Sequence, residues 1–156
     1  MQTFSNMRRN STYKQTLLSF FLFLGLYIYE SIASMQMWLP PLIGVCLVLF
    51  IRFGKDDGGY RFLAIIGGLA FIESENALPI GSLLGLFLIL SLFVIPRIQY
   101  VFNTIRATRI ACVILAYVSL YIGTLLLDVI MGSSIAPNIM MILYYIVIEI
   151  VIVMFL

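Results

Sequence analysis

Six apolar runs divide the chain at roughly 15–33, 36–53, 62–79, 80–102, 110–131 and 138–156, each near the length that spans hydrocarbon. Short breaks separate them: "SIASMQMW", "GKDDGGYR", "SENALPIGS", "NTIRATR" and "GSSIAPN". The third and fourth runs are fused in hydropathy, and only "ESENALPIG" parts them. Pro79 and Gly81 supply the chemistry of a tight reversal there. The pattern predicts an all-α polytopic helical bundle. No stretch outside the runs is large enough for a soluble domain. Residues 1–156 therefore read as a single transmembrane domain with a short cytoplasmic N-terminal segment, 1–14.

Composition agrees, because 63% of the 156 residues are hydrophobic and only 10% are charged. A soluble domain of this size cannot hide that much apolar surface. The basic residues then set the orientation. Arg8, Arg9, Lys14, Arg52, Lys55, Arg61, Arg97, Arg106 and Arg109 all fall on one side if six helices cross with the N-terminus inside. The opposite loops, around 31–37, 74–82 and 132–138, carry no Lys or Arg. The positive-inside rule thus predicts six transmembrane helices, N-in/C-in. A rival reading makes the first run a signal peptide ending at Ala33. The apolar stretch from Leu17 to Tyr29 is long for that role, so an uncleaved helix is expected.

Several chemistries drop out. The chain has no His, which removes imidazole relays, His-based triads and H-E-x-x-H zinc sites. No phosphate-binding glycine motif is present. A net charge of +2, without a basic patch interleaved with aromatics, points away from nucleic acid. Cys46 and Cys112 stand singly inside apolar runs and read as packing. The expectation is a protein that is not an enzyme and carries no metal or cofactor.

The acidic residues are the informative minority. Asp56 and Asp57 sit among basic neighbours in an inner loop, where solvation explains them. Glu30, Glu73, Glu75 and Asp128 fall near outer helix ends, with Asn76 beside them. They are either interfacial residues that reach the headgroups, or an acidic mouth contacting a cationic ligand or a partner's basic residue. Glu149 lies inside the last run, where an acid costs about 2.5–3.5 kcal/mol on insertion scales. No Lys or Arg lies at its depth, so it should face the bundle, one turn from Tyr145. Ser119, Tyr121, Thr124 or another protein are its candidate partners. The plainer alternative is an acid tolerated in a poorly centred helix.

Gly81 and Gly85 form a G-x-x-x-G pattern suited to close helix packing, within the chain or across an interface. Pro40-Pro41 should open the second helix, beside Trp38 as an interfacial anchor. Pro96 should kink or end the fourth helix before Arg97. Arg52, Lys55, Arg61, Arg97, Arg106 and Arg109 set topology, and they are also placed to meet cytoplasmic partners or anionic membrane lipids.

With this topology, the chain resembles the bacterial rod shape-determining MreD family. The likeness rests on "GLAFIESENALPIG", where Gly68, Glu73, Ser74, Pro79 and Gly81 match a family stretch at the third helix and its turn. "WLPPL" and "IAPNIMMILYYIV" add to it. The chain departs in having Glu where the family usually has Asp, and its glycine lies one residue further back. The resemblance implies a non-enzymatic scaffold or accessory component of the cell-elongation, peptidoglycan-synthesis machinery. It also implies a bacterial inner-membrane location and MreC-like and wall-synthesis partners. A second architecture fits the same hydropathy: the substrate-binding subunit of an energy-coupling-factor vitamin transporter. The outer carboxylates would then line a pocket, although the first helix lacks an A-x-x-x-A coupling pattern.

Overall fold

A computed structural model of the chain describes residues 3–36, 38–55, 59–102, 104–132 and 137–155. Asp56 and Asp57, and the side chains of Arg8, Arg9, Lys14 and Lys55, lie outside what is described. The described residues form six helices and no strand: α1 Thr3–Ala33, α2 Ile43–Lys55, α3 Gly59–Glu75, α4 Ser82–Val101, α5 Ile105–Met131 and α6 Ile139–Phe155. By length and composition, three contain a stretch able to cross a membrane: Thr16–Ala33, Ser82–Val101 and Ile105–Ile130. The helices α2 and α6 are apolar but shorter.

Helix α2 is the axis of the bundle, in contact with α3, α5 and α6, while α1 packs on α3. Its residues Ile43, Val45, Cys46, Leu47, Val48, Phe50 and Phe53 are all buried. From Ile43 to Ile51 the helix is apolar all round, and such a stretch belongs at a centre. Around it the core is completed by Ile65 and Leu69 of α3, Leu83 and Phe87 of α4, Val113 and Tyr117 of α5, and Ile142 and Val153 of α6. The periphery is also apolar: Phe20, Phe21, Leu92, Phe93, Leu126 and Val147 are each at least 58% exposed. Such a surface suits lipid rather than water. Cys46 and Cys112 are buried free thiols.

Three details differ from the sequence expectation. The second helix does not open at Pro40-Pro41. It starts at Ile43, after Leu42 turns the chain with φ of 44°. The prolines belong to the approach, where the Tyr29 hydroxyl donates to the Pro40 carbonyl at 3.0 Å. Pro96 does not end α4. Having no N–H to give, it is preceded by a wide π turn at Leu90–Val94, and the helix runs on to Val101.

Close packing also falls on other glycines than the motif suggests. A Cβ at Gly85 or Gly81 would meet nothing within 4 Å. Gly81 instead serves the turn, at φ 90°. The tight approaches are at Gly67, where a Cβ would lie 2.9 Å from the Phe23 ring, and Gly68, 3.2 Å from Leu26. These let α1 settle on α3. Gly44 is tighter still, since its Cβ would fall 2.6 Å from Glu149 Oε2 and 3.0 Å from the Val113 backbone. Gly44→Ala is therefore expected to cost about 1–3 kcal/mol by overpacking. Gly85→Ala should be neutral or slightly stabilising, from helix propensity alone. Unfolding titrations of both variants in mixed micelles check the pair.

Candidate functional site

The deepest polar group answers a backbone problem created by α2. With 13 residues, α2 is only about 20 Å long, against about 30 Å of hydrocarbon. A helix start exposes amides that have no intrahelical partner. The preceding Pro-Pro-Leu offers no side-chain oxygen to cap them. Glu149 supplies the acceptor from α6. It is fully buried, and its Oε2 accepts the Val45 amide at 3.0 Å. The missing Cβ of Gly44 allows the carboxylate to approach. The Tyr117 hydroxyl of α5 donates to Oε1. Glu149 thus ties three helices at one point. Negative charge at a helix N-terminus is also favoured by the helix dipole.

The same solution recurs at α4. Gly81, ahead of its first turn, has no side chain to cap with. Glu73, in the last turn of α3 and 1% exposed, reaches across the reversal. Its Oε2 accepts from the Gly81 amide at 2.7 Å, and its Oε1 from Leu83 at 2.6 Å and Leu84 at 3.4 Å. The Glu73 carbonyl also accepts the Leu78 amide at 2.9 Å, closing the α3 terminus around Ala77 at φ 52°. Glu73 is therefore not presented to an outside ligand, as the acidic-mouth reading would have it. Both of its oxygens are engaged with the chain's own backbone.

The remaining outer groups do come together in part. Glu30, Glu75 and Asn76 line one cleft of about 190 Å³, with Gln36, Ser34 and Tyr145. Glu30 is 3% exposed and accepts from Asn76 Nδ2 at 3.5 Å, a long bond. The same amide group gives a better bond to the Ile72 carbonyl, 2.8 Å. Below lies a smaller space of about 90 Å³ that shares Pro41, Asn76 and Tyr145 and reaches Tyr117. Asp128 does not line this cleft. Among the described residues, no group of His, Cys, Asp and Glu is arranged to hold a metal ion.

Glu149 does not bond to Ser119, Tyr121 or Thr124, the partners considered from sequence. Ser119 bonds back to the Leu115 and Ala116 carbonyls, and Thr124 to that of Tyr121. Tyr145 stacks its ring near that of Tyr117, 6.4 Å between centroids. At the opposite end of the bundle, Arg61 lies 5.6 Å over the Phe53 ring. Arg52 and Arg109 border a cavity of about 490 Å³. Arg97 and Arg106 are exposed. No protein-family model matches the chain, and neither does any curated protein or solved structure.

Proposed function

We propose that this chain is a multi-pass protein of the bacterial inner membrane, crossing six times with both termini in the cytoplasm. It acts as a non-enzymatic scaffold or accessory component of the cell-elongation machinery. The observation that supports this reading is the fate of the buried acids. Glu73 and Glu149, the most deeply buried carboxylates among the described residues, hold helix starts instead of facing a reaction space. Much of the helix surface is exposed and apolar, and such faces are how membrane proteins meet lipid and one another. The resemblance to MreD proteins supplies the identity of the partners: MreC-like and peptidoglycan-synthesis proteins.

Co-purification from gently solubilised membranes at endogenous expression tests this. Recovery of MreC-like or wall-synthesis proteins is the expected result. Recovery of paired ATPases with a coupling subunit would replace it with the transporter reading. One observation favours that second reading: Glu30, Glu75, Asn76 and Tyr145 do line a common cleft. A small organic cation would be its ligand, and calorimetric titration of purified protein with vitamins and amines separates the two.

A further inference from the structure

We propose that the cavity at the inner end of the bundle is a binding site for the headgroup of an anionic phospholipid. The cavity encloses about 490 Å³, within the range of small-ligand sites, about 300–1,000 Å³. Three helix ends build it: the last turns of α2 and α4 and the first turns of α5. Arg52, Arg109, Thr104 and Thr108 are among its lining residues, and the Thr108 hydroxyl donates to the Thr104 carbonyl at 3.2 Å. Among the described residues, neither guanidinium has a carboxylate partner. Two planar, permanently charged forks suit a phosphate diester better than any neutral group.

The walls decide between a lipid and a soluble anion. Val48 and Cys112 form a buried apolar floor. Phe102 and Ile105 carry the apolar lining outward, 43% and 74% exposed. A soluble phosphate has nothing to place against such walls, whereas a lipid brings its glycerol and acyl chains. Position agrees as well. All the basic residues of the proposed topology lie on this side, and the cytoplasmic leaflet is where anionic lipids attract them. The start of α5 adds polarity in the same sense, since the Thr104 side chain does not cap it.

Purified protein is reconstituted in vesicles of 70% phosphatidylcholine and 30% phosphatidylglycerol (about that ratio), extracted in mild detergent, and its retained lipids counted by native mass spectrometry. Retention of phosphatidylglycerol over phosphatidylcholine, lost by roughly tenfold in R52Q/R109Q but kept in R97Q/R106Q, is the expected result. Equal loss in both double variants would overturn the proposal, because general surface charge would then be responsible. Removing arginines can disturb insertion, so Thr108→Phe serves as a second variant. It obstructs the cavity with every charge in place, and unchanged lipid retention in it would also overturn the proposal. Glycerol 3-phosphate is added in competition. Displacement of the lipid by millimolar amounts would make the site one for a soluble anion, and the lipid assignment would fall.

Discussion

Replacing Glu149 by Leu is expected to destabilise the bundle by about 2–5 kcal/mol, the largest effect of any single substitution considered. The substitution removes the acceptor for the Val45 amide and the Tyr117 hydroxyl, both buried. Each buried donor left alone costs about 1–3 kcal/mol. Glu149→Gln keeps one acceptor oxygen but turns an N–H₂ toward donors, so its loss should be smaller yet clear. Tyr117→Phe takes away one donor only and belongs near the low end of the range. The sign makes the experiment informative. If Glu149 were merely an acid tolerated against lipid, Glu149→Leu would stabilise insertion by about 2.5–3.5 kcal/mol. Unfolding titrations in mixed micelles read the difference, and a variant as stable as the parent would end the helix-holding account.

The six helices were legible because each depends on local composition. Six helices occur, with Arg52, Arg61, Arg97, Arg106 and Arg109 near helix ends. The partners of Glu149 were not legible, and the reason is one of depth. Tyr117, Tyr121 and Thr124 share a helical face, four and three residues apart, so periodicity cannot rank them. One turn, about 5.4 Å, separates the right residue from its neighbour. What selects Tyr117 is the late start of α2 at Ile43, which draws the carboxylate to that level. That start was itself misplaced, because a Pro-Pro pair ordinarily marks a first helical turn. Here Leu42, with its left-handed backbone, displaces the start by two residues. The glycine motif misled for a related reason. Spacing alone cannot tell a glycine needed for a neighbour from Gly81, needed for its own φ.

Glu73→Ala should cost about 2–4 kcal/mol, second only to Glu149→Leu. Its carboxylate holds Gly81 and Leu83 at 2.7 and 2.6 Å, and the alanine leaves both amides without an acceptor. The damage should stay local, because α1 packs on α3 through Gly67 and Gly68, away from the reversal. Hydrogen exchange would then rise sharply at residues 81–84 and little in α1 or α5. Glu73→Asp shortens the reach by one methylene and should lie between parent and alanine. The measurement also separates two roles for this acid. A carboxylate that contacted a partner would, on removal, weaken co-purification and leave the isolated protein as stable as before. A carboxylate that builds the reversal must weaken the isolated protein first. Any loss of partners would follow from the displaced turn, and a Glu73→Gln variant, which keeps one acceptor for the start of α4, should restore part of both together.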